Sequence, residues 1–282
     1  MRLLSTRDLA EVLGVSESSL KRWVDAGRIS ASRTEGGHRR IALGEAMRFI
    51  RETRAPVVRP ELLDLPELAV AAKAERLTGH LLAGDSVGAR GFLLARYLGG
   101  ATIAELADGP IREAMHALGE LWHHQDSGIF VEHRGTDVCL EAVAHLRGLA
   151  PVHAGARAPL ALGGAPAGDP YLLPSQLAAM TLAEAGLRAI NLGSDTPPSA
   201  FAAAVAEHAP RLVWISVTAA LASARARSLV RWIDSLPASI SVVVGGQQAS
   251  QLGKLPPRVR RGTTMTELAE LGATLARGGR AS

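Results

Sequence analysis

The sequence predicts a multidomain chain: a small basic helical module with a β-hairpin, then an all-helical region, then a parallel α/β domain. Three observations predict it. A length of 282 residues suits two or three compact domains. Positive charge is confined to one end, because residues 1–54 hold 11 Lys/Arg against 7 Asp/Glu and the remainder holds 20 of each. From residue 158 onward, short β-branched runs alternate with helical stretches.

Composition excludes several classes. Hydrophobic residues make up 47% and charged residues 21%, enough apolar surface for real cores. No apolar run has the length of a membrane span, and the opening MRLLSTRDLAEVLG is charged too early for a secretory signal. The single cysteine, Cys139, excludes an internal disulfide framework and a cysteine-only metal cluster. A cytoplasmic protein away from membranes is expected, and a basic head on a neutral body points to a polyanion partner for the head.

Residues 1–54 form the first module. In STRDLAEVLGVSESSLKRWVDAGRI, Ser5 can cap a helix whose apolar face is Leu9, Val12 and Leu13. Gly14 breaks it, and Ser16 caps a second helix carrying Leu20, Trp23 and Val24 inward. That leaves Ser18, Ser19, Lys21 and Arg22 on the outer side, where hydroxyls and cations reach phosphates or base edges. The segment SASRTEGGHRRI predicts a hairpin with Gly36-Gly37 at its tip and His38, Arg39 and Arg40 on the returning strand. A third helix over 44–54 closes a winged helix-turn-helix, whose natural partner is a double-stranded DNA operator. Helix-turn-helix followed by GGHRR resembles the MerR family of transcription regulators.

Residues 55–66 carry Pro56, Pro60 and Pro66 and are expected to be a linker. The long dimerising helix common in that family is not visible here. Residues 67–150 predict a four-helix bundle, with helices near 67–83, 86–99, 101–121 and 129–149. Trp122 and His123 are expected to end the third helix, and Glu132 and His133 to lie in the first turn of the fourth. Three readings are open from the residues alone: a ligand site, ordinary core with an acidic helix start, or a zinc site of His123, His124, His133 and Glu132. Trp122, nine residues, then Glu132-His133 is similar to the W-x9-EH motif of cobalamin-binding photoreceptor regulators. That resemblance implies Trp122, Glu132 and His133 over the upper face of adenosylcobalamin, with His123 as upper axial cobalt ligand.

Residues 157–280 predict a flavodoxin-like (Rossmann-like) α/β domain. Strands are expected in APLALGG, LRAINLG, RLVWISVT, SISVVVGG and, weakly, RVRRGT; helices in 175–185, from 198, in 219–236 and in 265–276. A ligand then lies at the carboxyl ends of the strands. LGSDTPP with Ser194 and Asp195, then Ser216 and Thr218, then Gly245 and Gly246 resemble successive loops of the cobalamin-binding domain. The resemblance implies cofactor contacts at all six, with the hydroxyls near the nucleotide tail and the glycines leaving room for it.

One loop departs. The family's D/E-x-H-x-x-G supplies a lower axial histidine and a space-making glycine, whereas this chain reads Asp169-Pro170-Tyr171-Leu172-Leu173-Pro174, which keeps the acid and leaves Asp169 and Tyr171 as the loop's candidate cofactor contacts. A phenol replaces imidazole poorly on cobalt, since its proton leaves only near about pH 10. Pro174 instead suits a first helical turn. The expectation is a DNA-binding regulator and not an enzyme: by resemblance a light-responsive repressor working as a homo-oligomer, dimer or tetramer. Its ligand is cobalamin without a histidine lower ligand, another tetrapyrrole such as haem or a bilin, or none. A constitutive ligand-free regulator and a corrinoid protein of methyl transfer are the alternatives.

Overall fold

In the head, the Ser5 hydroxyl accepts from the Asp8 amide (3.1 Å) while the Asp8 carboxylate accepts from the Ser5 amide (2.9 Å). This reciprocal capping box starts α1 (Thr6–Leu13) directly after β1 (Leu3–Ser5). Gly14, at φ 65°, ends it in the left-handed conformation. Ser16 caps α2 (Glu17–Asp25) through the Ser19 amide. Strands β2 (Ser32–Arg33) and β3 (Arg39–Ala42) form the hairpin, β3 also pairs antiparallel with β1, and α3 (Leu43–Thr53) follows. The computed structural model describes residues 3–63, 76–121, 126–150, 155 and 157–278.

The chain divides into two compact units, Met1–Thr102 with Gly109–Pro151, and Ile103–Asp108 with Val152–Ser282. The expected linker is not free over its described part. Val58 donates to the Val12 carbonyl (2.8 Å), Arg59 pairs with Glu11 and Glu61, and Leu63, in the 3-10 turn Pro60–Leu63, is fully buried. Proline cannot continue an α-helix, and the segment instead runs against α1 with Leu63 buried while Val58 stays exposed.

The helical region of the first unit contains α4 (Leu77–Ala83), α5 (Ser86–Leu98), α7 (Arg112–Leu121) and α8 (Asp126–Leu149). Helix α8 packs against α4, α5 and α7. The expected first helix began at 67, and residues 67–75 lie outside the described set. The expected third helix, 101–121, is a correction: α6 (Ile103–Leu106) is followed by a π-type turn over Ala107–Ile111 containing Pro110. Proline lacks the amide that would continue the ladder. Residues 103–108 accordingly join the second unit, where the Asp108 carboxylate accepts from the Met265 and Thr266 amides (2.8 and 2.9 Å) and caps the last helix.

The second unit contains β4 (Leu160–Gly164), α9 (Leu173–Glu184), β5 (Arg188–Asn191), α10 (Pro198–His208) and β6 (Leu212–Ser216). It continues with α11 (Ser223–Ser235), β7 (Ser241–Gly245), β8 (Val259–Arg261) and α12 (Met265–Gly278). All neighbouring strands are parallel, in the order β5-β4-β6-β7-β8. This is the 2-1-3-4-5 order of flavodoxin-like doubly wound sheets. Strand residues alternate between faces: Leu162, Val213, Ile215 and Val244 pack with Phe201 and Trp232, and Ala161, Trp214 and Val243 pack with Leu182 and Leu268. Two buried faces explain why these strands read as continuous apolar runs.

Candidate functional site

Two regions gather the residues singled out in the sequence, one in each unit. In the head, Ser18, Lys21 and Arg22 are exposed on α2 and Ser19 is half-buried. The Ser16 hydroxyl joins those of Ser18 and Ser19 (both 2.9 Å), and Arg22 donates to Ser19 (3.1 Å). Lys21 pairs with Glu17 (2.9 Å), whose carboxyl Lys21 and Thr6 together hold below the usual carboxylate range. Behind this surface Leu20 is buried, while Trp23 packs on Phe49 at 5.3 Å with Arg28 over both rings. The helix is held by its inner face, leaving the outer one free for a partner.

The hairpin turns on Gly37 (φ 77°), whose amide donates to Thr34 (2.8 Å), and exposes His38 at its tip. Arg39 is turned toward α2, where it pairs with Asp25 (2.6 Å) at 24% side-chain exposure. This pair ties the hairpin to α2, with His38 at the tip and Arg40 next to Arg39 on β3. Lys21, His38, Arg39 and Arg40 line an open concavity of about 250 Å³ together with Arg7 and Glu17. Arg7 was missed in the sequence. The capping box was the available signal, because it fixes Arg7 at the start of α1 beside the hairpin.

In the second unit, β4 and β6 are neighbours whose chains leave in opposite directions, which makes their carboxyl ends a topological switch point. Asp169 lies there with no solvent exposure. One carboxylate oxygen accepts from the amides of Thr218 (2.5 Å) and Ala219 (3.1 Å), the other from Tyr171 (3.1 Å). Its own carbonyl accepts from the Asp195 amide (2.9 Å), and the Asp195 carboxylate accepts from Gly168 (2.7 Å). Asp169 and Asp195 therefore stitch the loops after β4, β5 and β6 together, a structural task the sequence reading did not assign them. Asp195 takes a left-handed conformation, φ 51°, to do so.

The glycines after β7 also have an internal reason. A side chain on Gly246 (φ 104°) would meet the Val217 carbonyl at 2.3 Å, and one on Gly245 the Gly262 carbonyl at 3.1 Å. Close backbone approach, with Val217 donating to Gly245 (2.7 Å), accounts for the pair without a ligand. Ser216 is buried at the end of β6, Ser194 is half-buried, and the Thr218 hydroxyl oxygen is shielded from solvent with no hydrogen-bond partner. Such an orphan polar atom at a switch point is where a ligand group gains most from pairing. Tyr171 is 50% exposed, Leu172 is exposed beside it, and Pro174 sits in the first turn of α9 as expected. Beneath them runs a chain missed in the sequence: the Trp214 indole donates to Ser175 (3.4 Å), and Ser175 to Asn191 (2.6 Å).

Of the residues of the W-x9-EH motif, Trp122 and His123 lie outside the described residues, as does His124. Helix α8 starts at Asp126, so Glu132 and His133 occupy its second turn, a correction to the first-turn expectation. Glu132 accepts from Thr136 (3.0 Å) and lies 3.4 Å from exposed His133. No group of three or more His, Cys, Asp or Glu suited to a metal occurs among the described residues. None of their helices is long and apolar enough to cross a membrane.

Together these features define a helix-turn-helix head on one chain with a flavodoxin-like unit. Residues 3–54 match the helix-turn-helix domain family. The chain resembles a solved monomethylamine corrinoid protein of Methanosarcina barkeri at 15% identity and TM-score 0.52, covering 71% of this chain and 96% of that one. A cobalamin-binding protein of Desulfitobacterium hafniense matches at 16% identity and TM-score 0.35, with coverage of 71% and 96%. At 15% identity the likeness to the first of these shows fold alone. No curated protein matches the chain in sequence.

Proposed function

We propose that the chain is a DNA-binding transcription regulator whose body binds a corrinoid without a protein-supplied lower axial ligand. The conjunction that supports this is a helix-turn-helix head with an open cationic concavity, joined to a flavodoxin-like unit with a shielded, unpartnered Thr218 hydroxyl at its switch point. In the head, Ser18, Ser19, Lys21 and Arg22 would face the major groove, and His38 and Arg40 the phosphates. Binding would then weaken steeply with salt as counterions are released.

In the body, Ser216 and Thr218 are the groups for a nucleotide tail, with Ser194, Gly245 and Gly246 lining the same loops. A bound corrinoid would supply a cobalt–carbon bond that light can break. Tyr171 would offer an aromatic ring below, and by resemblance Trp122, His123, Glu132 and His133 would serve the upper face, His123 as ligand. Repression, response to light and assembly as a homo-oligomer complete the reading, which involves no catalysis. A ligand-free constitutive regulator is the second reading, favoured by the internal tasks of Asp169, Gly245 and Gly246. Methyl transfer is disfavoured because Tyr171 replaces the axial imidazole.

The test is an absorption spectrum of the full chain after loading with adenosylcobalamin in the dark, then after illumination, compared with Tyr171→His. Retention of the corrinoid, with a shift toward a histidine-ligated form in the variant, supports the reading. Failure to retain it leaves the constitutive regulator, and retention of haem or a bilin instead reassigns the ligand.

A further inference from the structure

Helix α5 ends in a Schellman motif: the Gly100 amide donates to Tyr97 (3.1 Å) and the Ala101 amide to Arg96 (3.1 Å), with Gly100 at φ 104°. Such a turn leaves carbonyl oxygens with spare acceptor capacity at the negative end of the helix dipole. Arg51, in the last turn of α3, meets that end. Its Nη1 donates to the carbonyls of Tyr97 (2.8 Å) and Ala101 (2.5 Å), and its guanidinium lies 3.9 Å from the centre of the Tyr97 ring. Tyr97 is 1% exposed, so the cation stacks on a ring anchored in the helical region. Arg54 approaches the same turn, 3.4 Å from where a side chain on Gly100 would stand. One helix of the DNA-binding head thus holds the C-terminal turn of a helix in the body.

We propose that Arg51 is a positioning residue: with Tyr97 it latches the head to the helical region, so that events at one are felt at the other. The proposal rests on the reading of the head as a DNA-binding module. A guanidinium held by two carbonyls and an aromatic face is geometrically fixed, unlike a flexible surface pair. Lysine, a point charge without a planar face, would not replace it. Coupling of this kind is reciprocal: DNA on the head must stabilise the α5 turn as much as the turn stabilises the bound head.

The experiment uses the full chain and a duplex enriched by it from a random double-stranded pool. Hydrogen exchange of the Gly99, Gly100 and Ala101 amides, all hydrogen-bonded in the turn, is followed with and without that duplex. In the parent the duplex should slow their exchange about fivefold or more, the lower end of ordinary coupling. In Arg51→Ala and Arg51→Lys the duplex should still bind, since Arg51 is outside the contact surface, and the slowing should vanish. Calorimetry supplies a second readout, with the head melting together with the helical region in the parent and at a lower temperature of its own in Arg51→Ala. Slowing that persists in both variants, or is missing in the parent, overturns the latch. So does unchanged melting in Arg51→Ala. If the parent enriches no duplex, the DNA reading fails separately, and the melting comparison alone decides whether the latch stands.

Discussion

Replacing Asp169 with alanine separates a structural carboxylate from a ligand-binding one. The change removes the acceptor for three backbone amides, those of Tyr171, Thr218 and Ala219. A hydrogen bond to a charged group contributes about 1.5–3 kcal/mol, and a buried donor left unpaired costs about 1–3 kcal/mol. The three do not add fully, because Tyr171 is half-exposed and water can replace the carboxylate at its amide. The expected loss is therefore about 3–5 kcal/mol of stability for the α/β unit. Asparagine can turn its one oxygen toward the Thr218–Ala219 pair, forfeiting a single bond, so Asp169→Asn should lose about 1–3 kcal/mol. Urea unfolding followed by the fluorescence of Trp214, buried in this unit, measures both. Losses below about 1 kcal/mol in both variants would refute the stitching role and return Asp169 to the ligand site.

Arg40→Ala should weaken duplex binding and reduce the slope of its salt dependence by about one. Arg39→Ala should instead behave like Asp25→Ala, since the two form one pair; a salt slope lowered only by the Arg39 change would place Arg39 on phosphate. Burial pushes the Cys139 thiol up to about 12, so a thiol reagent at about pH 8 should label the unfolded chain and leave the folded one unmodified. The Asp85 carboxyl, which caps α5 through Gly88 and also meets His80, is held below its ordinary value. Its contribution is present above that ordinary value and fades as pH falls through the lowered one. Asp85→Ala should cost about 1 kcal/mol near neutrality, and the gap from the parent should close in acid melts.

Much of this was legible because the cues are local. Ser5 and Ser16 as caps, Gly14 as a stop, Gly37 at the hairpin tip and Pro174 in a first turn depend on a few neighbouring residues. The strand–helix alternation after residue 158 likewise carries the parallel sheet, because buried strands must be apolar throughout. Residue types then marked Ser18, Ser19, Lys21, Arg22, His38, Arg39 and Arg40 as candidates for a polyanion contact, and the structure sets them on α2 and the hairpin.

Partners distant in sequence were decided only by the tertiary structure. Asp25 takes Arg39, Asp108 leaves the helical region to cap α12, and Asp169 spends its carboxylate on amides some fifty residues away. Gly245 and Gly246 read as room for a ligand, yet what occupies the space beside them is backbone. In each case the sequence determined the chemical capacity of a side chain, a charge, an acceptor or a missing Cβ. Which group uses that capacity is a matter of distance, and distances between remote residues are set only when the sheet and helices pack.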